Sequence, residues 1–569
     1  MDKKTNTPLT GSQALMESLL CEGVDTIFGY PGGQIMPVFD ALYDYYNRVN
    51  FILTRHEQGA THAAQGYARV SGKTGVCIVT SGPGATNTIT GIGDAMMDST
   101  PMVVITGQVG AALLGTDAFQ EIDVVGITQP ITKWAFQIRR AEDIPWAVAR
   151  AFYIARNGRP GPVVLDFARN AQVEKLDFHY EPCTFIRSYL PAPEIVPEQI
   201  TAAAELINNA KKPFALVGQG VMLGNAEKEL KTFLEKADIP AASTLLGLSA
   251  MPTDFPLNKG FLGMHGNIAP NMKTNECDVL IAIGMRFDDR VTGNLKTYAR
   301  QAKVIHIDID PAEIDKNVAV TAKILGDAKK ALAALIEKVN PAKHTEWINS
   351  FKEFEGKEFD KVIKDEISPK SGQIKMGEVI NKISEATGND AILVTDVGQN
   401  QIMAARYFKF SQTRSIVTSG GLGTMGFGIP AAMGAKIGAP DRTVCLISGD
   451  GGFQMTIQEL GTIMQSNIGV KMVILDNSYL GMVRQWQELF YNQRYSSTPM
   501  LNPDFIAIAK AYNIEGKEVS KREELDGAIA EMLKDDKAYL LVVNVEEHGM
   551  VYPMIPAGDT ITNILLSGK

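Results

Sequence analysis

Two polar runs in the last third of the chain carry the residue types that hold a metal ion against a phosphate. Gly449-Asp450-Gly451-Gly452 follows one apolar run, and Asp476-Asn477 follows another, Val473-Ile474-Leu475. Glycines let a backbone approach a phosphate closely, and a helix that begins there favours an anion at its N-terminus. Carboxylate and amide oxygens are ligands that Mg2+ prefers. The two runs therefore predict a phosphate site with a metal ion bound by Asp450 and Asn477.

The spacing of the two runs strengthens this prediction. The segment between Gly452 and Asp476 is long enough for a helical crossover between neighbouring parallel strands, whose carboxyl ends meet at one edge of a sheet. A Gly-Asp-Gly alone is most often an ordinary turn between a strand and a helix. The pair at this spacing favours a ligand site instead.

Short apolar runs that end in glycine-rich turns alternate with helical patterns along most of the chain. This alternation predicts an α/β fold of three units, each a mostly parallel, doubly wound sheet flanked by helices. The predicted bounds are 1–175 for the first unit, 190–340 for the second and 373–569 for the third. A polar, Lys/Glu-rich helical linker is predicted on the surface at 341–372.

The composition is typical of a globular protein. Of the 569 residues, 45% are hydrophobic and 21% are charged, and the net charge of −9 gives no electrostatic reason to expect nucleic acid or an anionic membrane as a partner. The five scattered cysteines indicate reduced thiols, and Met1–Thr7 is not followed by the apolar run of a signal peptide. We therefore expect a cytoplasmic protein.

The paired runs resemble the signature of the thiamine-diphosphate-dependent enzymes, which is Gly-Asp-Gly, a crossover and then Asn-Asn. This chain has Asp476 in place of the first asparagine but retains Asn477, the ligand position of that family. The resemblance implies thiamine diphosphate held through Mg2+, with Asp450, Asn477 and the main-chain carbonyl of Tyr479 as metal ligands. The cofactor contacts that it implies come from Gln399, Asn400 (usually a histidine), Met425, Gly449, Asp450, Gly451, Gly452 and Met482.

Glu57 is the sharpest single candidate for catalysis. It follows the strand-like run Phe51–Arg55 and precedes two small residues, so it is predicted at a sheet edge in tight packing. The plain alternative is a glutamate at the start of an exposed helix, favoured there by the helix dipole. In the thiamine-diphosphate enzymes a glutamate in this Arg-His-Glu context hydrogen-bonds the aminopyrimidine ring and assists its activation. The pyrimidine and the diphosphate bind different domains, commonly of different subunits, so the resemblance implies an active site between two chains.

Over nearly its whole length the sequence resembles the catalytic subunits of the acetohydroxyacid synthase (acetolactate synthase) family. That family decarboxylates pyruvate on thiamine diphosphate and joins the hydroxyethyl group to pyruvate or 2-oxobutyrate, giving 2-acetolactate or 2-aceto-2-hydroxybutyrate for valine, leucine and isoleucine synthesis. The resemblance implies a homodimer or tetramer, with a small regulatory subunit as a candidate partner. The motifs that carry it are Phe28–Gly33, Arg55–Ala60, Thr116–Glu121, Gly263–Gly266, Arg286–Gly293 and Pro553–Pro556.

The same resemblance implies FAD bound at the second unit, without net redox use. Gly218-x-Gly220 alone is a weak dinucleotide signal, and solvated acidic turns are the alternative for Asp288 and Asp308. The residues that match flavin-contacting segments are Arg159, Gly218, Gly220, Thr244, Leu245, Leu262, Gly263, Met264, His265, Gly284, Arg286, Phe287, Asp288, Asp308, Ile309, Asp327 and Ala328.

Arg290 and Trp486 match the residues that select the second substrate. Arg290 would grip the carboxylate of a 2-keto acid in a charge-assisted fork. Trp486 would favour 2-oxobutyrate over pyruvate through an apolar contact worth ~1–3 kcal/mol. A surface salt bridge for Arg290 and a plain core position for Trp486 are the alternatives. Gly33, Gln120 and Met482 match other residues of the substrate channel.

Other functions stay open at this point. A pyruvate oxidase-like flavoenzyme would use the same cofactors, an FAD-free catabolic acetolactate synthase would catalyse the same reaction, and a non-catalytic flavin-binding or assembly subunit would have the same fold. The run Arg286–Arg290 counts against the catabolic enzyme, which lacks it. Glu57, Asp450 and Asn477 count against a non-catalytic subunit, and Glu57 also against glyoxylate carboligase.

Overall fold

The structure is a computed structural model that describes residues 8–568. Its frame is three six-stranded sheets in which every strand pair is parallel, with helices packed on the sheets. The predicted α/β class with three parallel sheets is confirmed. Met1–Thr7, on which the signal-peptide prediction rests, lies outside the described residues. Within 8–568, no helix is long and apolar enough to cross a membrane.

The first sheet comes from the N-terminal third of the chain, and its central strands are apolar and buried on both faces. Numbered along the chain, the strands lie in the order 2-1-3-4-6-5. In that order they are Asn50–Leu53, Thr26–Tyr30, Gly75–Val79, Met102–Gln108, Pro162–Ala168 and Trp134–Ile138. The helices are Gly11–Cys21, Met36–Leu42, Glu57–Ser71, Pro83–Thr86, Ile89–Met97, Val124–Thr128, Ile144–Arg156 and Arg169–Val173. A short antiparallel pair, Leu9–Thr10 with Lys175–Leu176, joins the two ends of this unit.

The middle sheet has the strand order 3-2-1-4-5-6, which is the order of dinucleotide-binding folds. In space its strands are Asn258–Phe261, Ala241–Ser243, Pro213–Val217, Val279–Ile283, Lys303–Asp308 and Ala322–Leu325. Its helices are Pro197–Asn208, Gly220–Leu223, Glu227–Ala237, Ile268–Thr274, Asp289–Thr292 and Ala328–Lys338.

The third sheet repeats the strand order of the first, 2-1-3-4-6-5. In space its strands are Ile416–Val417, Ile392–Thr395, Val444–Gly449, Val470–Asp476, Tyr539–Asn544 and Glu515–Val519. Its helices are Met376–Ala386, Gln399–Tyr407, Gly428–Gly438, Asp450–Met455, Leu460–Ser466, Gly481–Phe490, Phe505–Ala511 and Arg522–Met532.

The segment between the second and third sheets is helical, over Thr345–Asn349, Lys352–Glu358 and Lys364–Ile367, with a π-helical turn at Phe359–Ile363. Trp347 and Phe351 are buried, and Trp347 Nε1 donates to the Pro213 carbonyl (2.8 Å). Glu358 is also buried and forms an ion pair with the buried Arg406 (2.5 Å). The polar composition of this segment predicts a surface position, but the side chains of Trp347, Phe351 and Glu358 anchor it to the units on both sides.

Two helices of matching position join the first and third sheets. Glu57–Ser71 follows the second strand of the first sheet and packs along Gly428–Gly438, which follows the second strand of the third. A Cβ on Gly434 would lie 1.8 Å from the Ala63 carbonyl oxygen, and one on Gly66 would lie 2.0 Å from that of Ala431. The two backbones therefore touch at both glycines, so the helix that begins at Glu57 is fixed against the third sheet.

Candidate active site

The carboxyl edge of the third sheet brings the two predicted ligand runs side by side. The strands Val444–Gly449 and Val470–Asp476 are parallel neighbours, and Gly449 lies opposite Leu475. Asp450 and Asp476, one residue further along, therefore reach the same level of the edge. Asp450 also begins the helix Asp450–Met455. The juxtaposition that the sequence spacing predicts is present.

A narrow cavity opens at this edge, and Val397, Gly398, Leu480 and Gly481 form part of its wall. The predicted diphosphate and metal residues all line it. These are Gln399, Asn400, Met425, Gly449, Asp450, Gly451, Gly452, Asn477, Tyr479 and Met482.

The donor set of this cavity fits a hard divalent ion held against a phosphate. Asp450 supplies a carboxylate, and Asn477 supplies an amide whose Oδ1 accepts from the Tyr479 N–H (3.2 Å). Oxygen ligands of these kinds suit Mg2+, which demands few protein groups. Within 8–568, no cluster of three His, Cys, Asp or Glu side chains suited to a metal occurs.

Glycine is required at this edge because there is no room for a side chain. A Cβ on Gly452 would lie 2.3 Å from Asp396 Oδ1, and one on Gly481 would lie 2.2 Å from Gln399 Oε1. Asn400 braces the wall from behind, since its Nδ2 donates to the Asp396 carbonyl (2.9 Å) and to the Ile447 carbonyl (3.2 Å). The cavity is thus a backbone cradle stiffened by amide side chains.

Asp450 is buried, and its side-chain hydrogen-bond donor is Asn502, a residue that sequence reasoning missed. Asn502 Nδ2 donates to Asp450 Oδ2 (2.7 Å) and to Asp476 Oδ1 (2.9 Å). Burial is the largest cause that raises the pKa of Asp450 to about 7; the Asn502 hydrogen bond opposes this rise, and the Asp476 carboxylate contributes to it. A bound cation would favour the ionised form of such a carboxyl group.

Asp396 is a second residue that sequence reasoning missed. Its fully buried carboxylate accepts hydrogen bonds from the backbone N–H groups of Val397, Gly426 and Gly428, and burial raises its pKa. It therefore holds the glycine-rich run that carries Met425 beside Gly452, in the first turn of the helix Asp450–Met455. The only signal in the sequence is a carboxylate directly after an apolar strand.

The corresponding edge of the first sheet carries Glu57, predicted to contact the pyrimidine, and Gln120, predicted for the substrate channel. Glu57 begins its helix, and its Oε2 accepts a hydrogen bond from Asn87 Nδ2 (3.0 Å), a partner that the sequence did not indicate. A Cβ on Gly84 would lie 3.4 Å from Glu57 Oε1, and one on Gly82 would lie 3.0 Å from the Gln120 carbonyl oxygen. One glycine-rich turn thus brings Glu57 and Gln120 together.

This edge is open to solvent. Gly33 is exposed, and a Cβ there would have no atom within 4 Å. Phe119 is 84% exposed. Thr80 Oγ1 and Ser81 Oγ are buried and have no hydrogen-bond partner among the described residues. Glu57, Gly33 and Gln120 do not line the cavity that contains Asp450.

A larger cavity, of about 760 Å3, lies where the middle unit meets residues of both other units, including Ser99 and the run Gly420–Gly423. It adjoins the narrow one, because Val397, Gly398 and Met482 line both. The predicted flavin residues that line it are Arg159, Gly220, Thr244, Leu245, Leu262, Gly263, Met264, His265, Gly284, Arg286, Asp288, Asp308, Ile309, Asp327 and Ala328.

Two of the predicted flavin residues lie away from this cavity. Gly218 faces the neighbouring loop, where a Cβ would lie 2.2 Å from the Gly284 carbonyl oxygen. Phe287 is buried in the core, in edge-to-face contact with Tyr298 and His306. As flavin contacts, these two positions stay predictions.

Charged groups around the large cavity are partly desolvated or paired. Burial raises the pKa of Asp308 to about 6, and burial also raises the pKa of Asp288, with Arg286 opposing the rise. Asp288 and Asp327 each cap the N-terminus of a helix through backbone N–H groups. Arg159 is bound by Glu313 (2.9 Å) and also by Asp310 and Ser99, three partners that the sequence did not reveal.

Arg290 and Trp486 lie at the same cavity. The Arg290 side chain is 60% exposed, and its nearest carboxylate, on Asp289, is 3.8 Å away, so its charge is not tied up in a close salt bridge. Arg290 Nη1 approaches Met264 Sδ at 3.3 Å. Trp486 is partly exposed and packs edge-to-face on Phe490. The cavity can therefore present a cation and an apolar ring to one small molecule.

The three units correspond to three models of known domains. The N-terminal TPP binding domain of thiamine pyrophosphate enzymes matches residues 9–127, the central domain of these enzymes matches 200–335, and their C-terminal TPP binding domain matches 396–543. With the cradle at Gly449–Gly452, these matches define the class, which is the thiamine pyrophosphate enzymes.

Relatives of known name narrow this class. The acetolactate synthase isozyme 2 large subunit of Escherichia coli is 44% identical over 98% of this chain and 99% of its own length. The acetolactate synthase large subunit of Corynebacterium glutamicum is 45% identical over 98% of this chain and 90% of its own, and a probable one from Methanocaldococcus jannaschii is 45% identical over 98% and 95%. The chain belongs to the family of acetolactate synthase large subunits, which confirms the resemblance found in the sequence.

Proposed function

We propose that this chain decarboxylates pyruvate and transfers the remaining two-carbon unit to pyruvate or 2-oxobutyrate, giving 2-acetolactate or 2-aceto-2-hydroxybutyrate as precursors of valine, leucine and isoleucine. The observation that carries the proposal is the adjacency of two cavities, one with Asp450 and Asn477 and the other with Arg290 and Trp486, which share Met482. Thiamine diphosphate, when bound, supplies the electron sink for decarboxylation.

The third unit, 373–569, is the proposed holder of the diphosphate and Mg2+. Asp450, Asn477 and the Tyr479 carbonyl would ligate the ion, while Gly449–Gly452 would offer backbone N–H groups to the phosphate. Gln399 is fixed for contact because its Nε2 donates to Gln485 Oε1 (2.9 Å) and to the Gly549 carbonyl (3.0 Å). Met425 would support the cofactor from the same wall.

The first unit, 1–175, is the proposed holder of the pyrimidine through Glu57. Because Glu57 and Asp450 lie on separate edges within one chain, we propose that a second copy completes each site, in a dimer or a tetramer. Mixing two inactive variants, Glu57→Gln and Asp450→Ala, tests this. If sites are shared, the exchanged mixture regains up to about a quarter of parental activity, because about half of the dimers are hybrids and one of the two sites in each hybrid has both native residues. No recovery after exchange of subunits would contradict shared sites.

The middle unit, 190–340, is the proposed FAD domain. The large cavity has the volume and the mixture of apolar wall and polar groups that bound cofactors use, and it lies at a sheet of dinucleotide-binding order. Absorption of the purified protein near 450 nm would support bound flavin and separate it from an FAD-free acetolactate synthase.

Product analysis tests the reaction itself. With pyruvate alone we expect 2-acetolactate, and with both keto acids we expect 2-aceto-2-hydroxybutyrate as well. Acetate, acetyl phosphate or acetaldehyde as the main product would contradict the proposal, and flavin reduction at the turnover rate would favour an oxidase. The relatives are named large subunits, so a separate smaller subunit is a proposed partner, to be sought as a copurifying chain that changes activity.

A further inference from the structure

Asn502 lies where two carboxylates of the third sheet face each other. Asp450 and Asp476 are adjacent at the sheet edge, and the Asn502 amide donates one hydrogen bond to each of them. Two carboxylates so placed repel each other unless donors or a cation lie between them. Asn502 is the donor in the described structure that contacts both.

The orientation of the Asn502 amide is determined by a further contact. Gln454 Nε2 donates to Asn502 Oδ1 (3.0 Å) and to the main-chain carbonyl of Asp450 (3.2 Å). With its oxygen taken by Gln454, Asn502 can only present its NH2 group to the two carboxylates. Asp476 is fixed in turn, because its Oδ1 also accepts from the Ser478 N–H (2.9 Å).

Asn502 reaches this position at the end of a short strap. Residues 498–500 run antiparallel to 478–480, through hydrogen bonds from Leu480 N to Thr498 O and from Met500 N to Ser478 O. Met500 fills the space beside Gly451, where a Cβ would lie 3.1 Å from its Sδ. The strap therefore touches both proposed ligand loops.

We propose that Asn502 is a positioning residue for the metal ligand Asp450, and that Asp476 is the second anchor of its amide. This inference rests on the metal site of the proposed function. Asn502 holds Asp450 Oδ2, so that the carboxylate meets the ion in one orientation, and its NH2 group separates the Asp450 and Asp476 charges. Partners of this kind outside the ligand set typically contribute 10–100-fold to metal affinity.

The test is titration calorimetry of Mg2+ into the full chain with saturating thiamine diphosphate and no keto acid. We expect Asn502→Leu to raise the Mg2+ dissociation constant about tenfold. In an Asp476→Asn background, where only one of the two charges remains, the same substitution should raise it about threefold or less. Asn544→Leu is the matched control, because Asn544 lies at the same sheet edge but is bonded to Glu518 and Ser520. It should have the same Mg2+ dissociation constant as its parent.

A dissociation constant for Asn502→Leu within twofold of the parent would overturn the inference, and so would an equal loss in both backgrounds, which a merely structural role would give. If Asn502→Leu does not fold, Gln454→Leu decides, because it frees the amide to rotate and should weaken Mg2+ binding about threefold; no change would count against the inference. Failure of the parent chain itself to bind Mg2+ would instead refute the proposed metal site.

Discussion

The first and third sheets have the same strand order, but their carboxyl edges differ in hydrogen bonding and in exposure to solvent. At the third sheet, Asp396, Asn400 and Asn502 fill the edge with hydrogen bonds, so that the cradle around Asp450 is rigid within one chain. At the first sheet the equivalent edge carries Glu57 and one donor, Asn87, beside the exposed Phe119. The edge of the third sheet is closed by hydrogen bonds, whereas the edge of the first is exposed, as the proposed site shared between two chains would require.

This difference shows how two sheets of the same topology can provide two different parts of one binding site. A diphosphate and its metal ion need several fixed dipoles, which the closed edge supplies. A carboxylate that shares a proton needs one fixed hydrogen-bond partner and surroundings that exclude water. A second protein surface bound at the open edge can exclude that water.

The largest expected effect comes from disabling the open edge. Glu57→Gln should lower kcat by about 100-fold or more, because an amide cannot share a proton with the pyrimidine. Mg2+ binding at the closed edge should stay at the parental value, measured by calorimetry. Glu17→Gln, which alters the half-buried carboxylate partner of the exposed Arg48 in the same unit, is the control, and a fully active Glu57→Gln would refute the role of Glu57.

The next effect comes from weakening the contact between the two helices that join the first and third sheets. Gly434→Ala should lower the stability of the folded chain by about 3 kcal/mol, because its Cβ has no room beside the Ala63 carbonyl. Thermal unfolding measures this. Gly527→Ala makes the same change on a helix where the added Cβ meets nothing within 4 Å, and it should be neutral or stabilising. Equal midpoints for the two variants would show that the helices can move apart freely.

A smaller effect is expected at the cavity beside the closed edge. Trp486→Leu should reduce the preference for 2-oxobutyrate over pyruvate about tenfold, because the apolar contact with the extra methylene weakens. Competition between the two acceptors, followed by product ratio, measures it. Trp146→Leu, at an exposed tryptophan of the first unit, should leave the ratio unchanged, and an unchanged ratio in Trp486→Leu would remove this residue from acceptor selection.

The last effect depends on pH and lies beneath the open edge, at Asp166 on the strand Pro162–Ala168. Burial raises the pKa of Asp166 to about 6 although Thr106, Gln108 and Gln137 donate to it. The folded chain thus holds a proton that the unfolded chain loses near pH 4. As pH rises from about 4 through 6, this group therefore lowers the free energy of unfolding, by up to about 3 kcal/mol.

Asp166→Asn should remove that cost. The thermal unfolding midpoint of Asp166→Asn minus that of the parent should be larger at pH 7 than at pH 4.5, and circular dichroism at both pH values measures it. A midpoint difference that is the same at both pH values would contradict the protonated state of Asp166 in the fold.

The sequence predicts the strand ends well and the contacts between distant segments poorly. Gly449–Gly452 and Asp476-Asn477 follow apolar runs, and parallel pairing alone carries them to one edge. Asn502 depends on a strap that folds back beside residues 478–480, and nothing in its local sequence indicates that path. The same reason explains why the partners of Arg159 were not predicted, since Asp310 and Glu313 come from another unit.

Gly218 and Phe287 match flavin-contacting segments but do not line the large cavity. Motif matching names every residue of such a segment, whereas the structure separates those that line the cavity from those that pack against the protein, as Gly218 does against Gly284 and Phe287 against Tyr298 and His306. Residue type and position along a strand do not distinguish these two orientations in a loop, whereas the packed structure does.

The glycine contact between Glu57–Ser71 and Gly428–Gly438 has a consequence for permitted sequence variation. Each glycine lies against the partner helix's backbone, not against a side chain that could shrink in compensation. A library of all substitutions at positions 66 and 434, selected for growth without added valine, leucine and isoleucine, should therefore return glycine at both positions, and no second change on the facing helix should rescue a larger residue.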